Sequence, residues 1–210
     1  MREVKDSKPL IIGCGGSGTW YLTNVMNTCN RKISHEQLGK NGMVCWHVTP
    51  ENWHEYFEDT FPDLPRLTKK KYPMSNGIDK DAMIEDCGFT DMLHQIRNPL
   101  DVISTVQAWE DEVWNYIKNF IPIEESDNKI LKCMKYWYYW NLLAEKRTKR
   151  RYCVEDLTAL FGDIMHIDSN SMKDEYAKLS WEDLDKTDKE LALKIRDKGR
   201  EYGYTIPYVA

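Results

Sequence analysis

Residues 9–13, Pro-Leu-Ile-Ile-Gly, form a short unbroken apolar run that stops at glycines. A run of this kind, with no polar position alternating through it, predicts a strand covered on both faces. From Ser17 the spacing of Trp20, Tyr21, Val25 and Met26 changes to a helical period and predicts about three turns ending near Asn30. Strand, glycine-rich turn and helix in that order open an α/β domain. Residues 33–36 read as the next strand end, 51–59 as a helix, and 61–73 as a Pro-containing connector carrying Lys69, Lys70 and Lys71. Residues 92–96 predict a second buried strand. After it, Pro99 is pre-organised for a first helical turn, and the helix continues through Val102, Ile103, Val106 and Trp109. A long helix is predicted over 127–149, with Ile130, Met134, Trp137, Trp140 and Leu143 on one face. A strand follows at 151–154, with Asp156 as a cap for the helix after it, and 188–202 reads as a charged amphipathic helix.

Composition bounds this picture without redirecting it. The chain has 210 residues, enough for one domain with a sizeable core, and the expected organisation is a single domain over 1–210. A net charge of −5 argues against bulk nucleic-acid binding while leaving room for a local basic pocket. Cys14, Cys29, Cys45, Cys87, Cys133 and Cys153 stand singly, a spacing that predicts reduced, mostly buried thiols rather than a zinc site or disulfide framework. No stretch of about 18 apolar residues occurs and the N-terminus lacks a signal-peptide pattern, so the expectation is a cytoplasmic protein that does not span a membrane.

The candidate chemistry begins at Gly13-Cys14-Gly15-Gly16-Ser17-Gly18-Thr19. Glycines let backbone N–H groups wrap an oxyanion, a helix N-terminus adds positive potential, and the Ser17 and Thr19 hydroxyls can donate to the same anion. Two ligand classes compete for such a turn. The letters fit the GxGxxG dinucleotide pattern, and Glu36, 18 residues beyond Gly18, stands near where a ribose-binding acid is wanted. They fail GxxxxGK[ST], because Thr19 occupies the lysine position, which argues against an ATPase or GTPase.

Further along, His94-Gln95-Ile96-Arg97-Asn98-Pro99 leads into Ser104-Thr105. A strand running into Ser-Gly-Thr, then a second strand ending in Arg before a Pro-initiated helix with a hydroxyl seven or eight residues on, resembles the family of sulfotransferases that use 3′-phosphoadenosine 5′-phosphosulfate (PAPS). Weaker likenesses extend along the chain: His35-Glu36 followed by Gly39 and Gly42, residues 137–141, Arg151-Tyr152-Cys153-Val154-Glu155-Asp156-Leu157, residues 179–184, and Tyr202-Gly203-Tyr204. The resemblance implies a three-layer α/β/α fold with a central parallel sheet, of the kind shared with P-loop nucleoside-triphosphate hydrolases. It implies transfer of a sulfuryl group from PAPS to a hydroxyl or amine of a small-molecule or glycan acceptor, leaving 3′-phosphoadenosine 5′-phosphate (PAP). Gly15, Gly16, Ser17, Gly18 and Thr19 would then hold the 5′-phosphosulfate, Arg97 with Ser104 or Thr105 the 3′-phosphate, Trp20 would wall the nucleotide, and Arg151 would approach phosphate. Glu36 and His35 are the candidate bases, expected beyond the second strand and beside the glycine turn. Nothing in this scheme requires a metal.

One position departs from the family. A Lys or Arg ordinarily precedes Ser-Gly-Thr, and this chain has Gly16. Another cation can substitute, with Lys32, Lys40 and Lys69–Lys71 as candidates, or the chain is a catalytically weak PAPS- or PAP-binding relative. A small NAD-dependent oxidoreductase using the same turn is the third reading. Residues 46–76, rich in aromatics, are expected to carry the acceptor determinants.

Overall fold

A computed structural model describes residues 8–28, 33–36, 41–53, 55–56, 88–156 and 177–208. In chain order its elements are β1 (Pro9–Gly13), α1 (Thr19–Thr28), β2 (Ser34–His35), β3 (Met43–Val44), β4 (Asp91–Ile96), α2 (Pro99–Thr105), α3 (Asp111–Ile117), α4 (Lys129–Arg147), β5 (Arg151–Cys153), α5 (Trp181–Thr187) and α6 (Lys189–Glu201). The five strands form one all-parallel sheet in the order β2-β3-β1-β4-β5. Every residue of β1 is buried, as its unbroken apolar run requires. Alternation along the strands sorts the core. Ile11, Val44, Leu93 and Tyr152 pack with Leu22, Val25 and Met26 of α1, while Leu10, Ile12 and Met43 face Ala144 of α4. Helices therefore flank the sheet on both faces, and the fold class is α/β.

α4 is the spine of the second face. Asn128 caps its start by accepting from the Leu131 amide, and Lys146 and Arg147 place positive charge in its last turn. Its Tyr136, Trp137, Trp140 and Asn141 are buried. The Trp140 indole donates to the Trp46 carbonyl (3.2 Å) and the Trp137 indole to the Arg97 carbonyl (3.4 Å), fastening the ends of β3 and β4 to one helix. These pairings bury apolar area while giving each indole N–H an acceptor.

Differences from the sequence expectation are local. The helix opening at Pro99 leaves α geometry after Thr105 and tightens into a 3₁₀ turn over Val106–Ala108. The Thr105 hydroxyl donates back to the Asp101 carbonyl (2.8 Å), a bond that competes with the helical ladder. β3, α3 and α5 add to the expected elements. Of the predicted helix over 51–59, residues 51–53 form a turn and 55–56 are helical, and the 61–73 connector with its lysines lies outside the described residues. Cys14, Cys45 and Cys133 are buried free thiols and Cys153 is partly buried. Among the described residues, no helix is long and apolar enough to cross a membrane, and no group of three His, Cys, Asp or Glu side chains is placed to hold a metal.

His94, on β4, is fully buried and shares a 2.8 Å hydrogen bond with Asn141 Oδ1 of α4. Burial pushes its pKa down to about 4, against smaller raising effects from Asn141 and Glu145. The sign of the linkage follows. An unfolded chain takes up a proton near pH 6.5, whereas the folded one resists until about pH 4, so stability present above pH 6.5 is lost as pH falls through that window. The expected loss is about 3 kcal/mol. Denaturation midpoints at pH 7 and 4.5 for wild type and His94→Gln test it: an equal fall in both proteins would remove His94 as the cause.

Candidate functional site

The glycine turn leaves the carboxyl end of β1, the central strand, between β3 and β4. From β1 the chain passes to β2 and β3 on one side and to β4 and β5 on the other, and parallel α/β sheets bind ligands at this reversal of direction. Thr49 steadies the approach: its Oγ lies 3.2 Å from both the Gly13 N–H, which donates to it, and the Gly13 carbonyl, which accepts from it.

Ser17 is fully buried. Gln95 Nε2, from β4, donates to the Ser17 carbonyl (2.7 Å) and to its hydroxyl oxygen (3.3 Å), and the Tyr152 hydroxyl of β5 donates to Gln95 Oε1 (2.7 Å). Because Gln95 supplies the proton in that contact, the Ser17 O–H remains a donor for something above the turn. Among the described residues, the backbone N–H groups of Gly16 and Gly18 have no acceptor. The turn thus presents two amides and the hydroxyls of Ser17 and Thr19, a donor set that fits an oxyanion.

The structure brings both candidate bases to this turn. His35 Nε2 and Thr19 Oγ1 share a 2.9 Å hydrogen bond, and His35 Nε2 lies 3.8 Å from Glu36 Oε1. Glu36 sits just past β2 with φ +48°, a left-handed conformation costing a non-glycine residue about 1 kcal/mol, while its amide donates to the Val44 carbonyl (2.7 Å).

Arg97 ends the extension of β4 and turns its guanidinium onto the glycine turn. Its NH1 donates to the Gly16 carbonyl at 3.0 Å across 81 positions of sequence, and its Nε lies 3.9 Å from Asp101 Oδ2. Asn98 then caps α2 by accepting from Leu100 N, with Pro99 in the first turn. Thr105 also reaches the turn, since a Cβ built on Gly16 would lie 3.6–3.7 Å from its side chain. Ser104 is tied elsewhere: its oxygen accepts from the Leu179 amide (2.9 Å).

Two expected residues stand apart from this grouping. Trp20 is 67% exposed, so it does not pack into the core and its ring is open to a ligand. Arg151 directs NH1 to Glu145 (3.5 Å) and Glu201 (3.3 Å), with its guanidinium over the Tyr202 ring (5.1 Å). Its charge is engaged toward α4 and α6, and the turn is not among those contacts.

Gly16 has φ +77°, and a Cβ there would come within 3.1 Å of Val106 Cγ1. Any side chain at this position is strained, so the glycine is built into the turn's conformation rather than being an open place where a lysine is merely missing. Of the candidate substitutes, Lys32, Lys40 and Lys69–Lys71 lie outside the described residues.

Sequence reasoning missed Gln95, Tyr136, Tyr152 and Trp109. The Gly15 N–H donates to the Tyr136 hydroxyl (2.7 Å), and a Cβ on Gly15 would meet the Trp109 ring at 2.6 Å. The one available signal was a glutamine, next to His94, inside a buried strand, where its amide needs polar partners. No protein-family model matches the chain, and none of the curated proteins or solved structures compared with it is significantly similar.

Proposed function

We propose that this chain binds PAPS across the glycine turn and Arg97, and transfers its sulfuryl group to a hydroxyl or amine of a small-molecule or glycan acceptor, in a fold of the P-loop sulfotransferase type. The observation that carries the reading is the Arg97–Gly16 contact. The two separate stretches that resemble the family's phosphate-binding motifs meet in space, with Thr105 beside them and His35 on Thr19.

In this reading the Gly16 and Gly18 amides, with the Ser17 and Thr19 hydroxyls, hold the 5′-phosphosulfate. Arg97 holds the 3′-phosphate through a planar fork suited to a dianion, with Thr105 beside it. Ser104 joins only by sharing an oxygen already bonded to Leu179. His35, oriented by Thr19 and next to Glu36, takes the acceptor's proton. The exposed face of Trp20 is available to the adenine.

The sheet order weighs against a nicotinamide enzyme. In the dinucleotide fold the second strand lies beside the first, 3-2-1-4-5-6. Here β2 pairs with β3, and β3 with β1. A second reading, a PAPS- or PAP-binding relative that transfers weakly, rests on the strained geometry that keeps a basic side chain from Gly16.

Thermal-shift titration with PAP, against NAD as control, tests the proposal. Binding at a hundredfold excess over Kd stabilises by about 2.7 kcal/mol, expected here as a rise of roughly 5–10 °C. No rise with millimolar PAP would refute it, and a rise with NAD alone would make the turn a dinucleotide site.

A further inference from the structure

Tyr136 is fully buried on α4, with its hydroxyl oxygen 2.7 Å from the Gly15 amide that donates to it. A phenol that accepts a hydrogen bond still has its own proton to give. Among the described residues that proton has no acceptor. The ring cannot swing away to find one. It is held by Trp46 (6.2 Å between centroids), Trp109 (5.1 Å), Trp114 (6.2 Å) and Trp140 (5.2 Å). A buried donor is therefore fixed at the glycine turn with its hydrogen uncommitted.

Its location matters. Gly15 precedes Gly16 on the strand side of the turn, whereas the Ser17 and Thr19 hydroxyls lie on the side where α1 begins. A ligand phosphate gripped by the α1 end would direct its outer group toward Gly15 and the aromatic wall behind it. That is also the part of the turn where the family's basic residue is missing.

We propose that the Tyr136 hydroxyl is the neutral substitute for that residue, donating a hydrogen bond to the sulfuryl end of PAPS; this rests on the PAPS reading above. In the transfer, the acceptor's oxygen or nitrogen bonds to sulfur while the bond from sulfur to the 5′-phosphate oxygen breaks. The electron pair leaves on that phosphate oxygen, and the acceptor's proton passes to His35. Tyr136 keeps its proton throughout and stabilises charge without giving it up. Burial pushes its pKa well above the usual phenol range, so the donor is intact across neutral pH. In a water-poor site a fixed neutral dipole counts for much more than it does in water.

The test compares two ligands differing by the sulfuryl group. Calorimetric titration of Tyr136→Phe should show PAPS affinity reduced by about tenfold or more, the scale of a hydrogen bond to a charged group, and PAP affinity changed by less than about threefold. Equal weakening of both ligands would mean that Tyr136 only shapes the turn, and no weakening of either would mean that it contacts nothing; each overturns the proposal. A wild-type protein that binds neither ligand sinks the PAPS reading itself, and this inference with it. The variant also leaves the Gly15 amide without its acceptor. Should it fail to fold, wild-type protein carrying ¹³C at tyrosine Cζ answers instead. The Tyr136 resonance should move when PAPS replaces PAP, and an unmoved resonance overturns the proposal.

Discussion

Replacing Arg97 by alanine should abolish the PAP-induced rise in melting temperature while leaving the free protein folded. In the free protein the side chain, 11% exposed, makes one hydrogen bond to the Gly16 carbonyl and a looser approach to Asp101. Losing these costs about 1–3 kcal/mol, within the reserve of an ordinary domain. With ligand bound, the loss is of a different size. Removing the cationic half of a desolvated, hydrogen-bonded charge pair costs about 2–5 kcal/mol, so PAP affinity should fall by about 30-fold or more. Arg150→Ala serves as the control. That residue pairs with Asp91 at the opposite, amino end of β4 and should leave the PAP response unchanged. A wild-type thermal response in Arg97→Ala would show that the phosphate lies elsewhere, and the reading would lose the observation that carries it.

Arg97 also shows where a sequence stops being readable. β1 was legible because five consecutive residues that must all be buried have no other arrangement as attractive as a central parallel strand. The glycine turn was legible from its position after that strand, and α4 from a periodicity sustained over five turns. β3 is two residues long, too short to express any period, and forms against the edge of the longer β1, while β2, read as a strand end at 33–36, pairs with β3. The resemblance assigned Arg97 to the cofactor's 3′-phosphate, but its contact with Gly16 was in no reading of the sequence, since a contact across 81 positions leaves no local trace. Tyr136 is further out of reach. On the helix it reads as one more aromatic on a core face, and only the tertiary packing turns its hydroxyl onto Gly15, 121 positions earlier. Arg151 is hard to read in the opposite way: the sequence offers a cation at a strand, and only the fold shows that Glu145, Glu201 and Tyr202 lie against it.

Among the described glycines, Gly13→Ala should be the most damaging single-methyl change. Gly13 pairs with Gln95 across the β1–β4 boundary and has φ +143°, outside the range that L-residues favour. A Cβ there would lie 2.3 Å from the Gln95 carbonyl oxygen and 3.3 Å from its carbon, which are backbone atoms that no rotamer change can move aside. The conformation alone costs about 1–3 kcal/mol. Relieving the clash requires β1 and β4 to part, so the total should exceed about 3 kcal/mol, a fall in melting temperature of about 6–12 °C. Gly88→Ala isolates the two contributions: its φ is +69°, but nothing lies within 4 Å of a Cβ there, so it should cost only the conformational part. Equal losses in the two variants would refute the clash argument. The close approach at Gly13 also bears on the site. The turn begins at this residue, and the narrow β1–β4 spacing beneath it lets Gln95 reach Ser17 and Arg97 reach Gly16. Gly13→Ala protein that remains folded at low temperature should therefore lose PAP binding as well, because a sheet spread at this point draws Arg97 away from the turn.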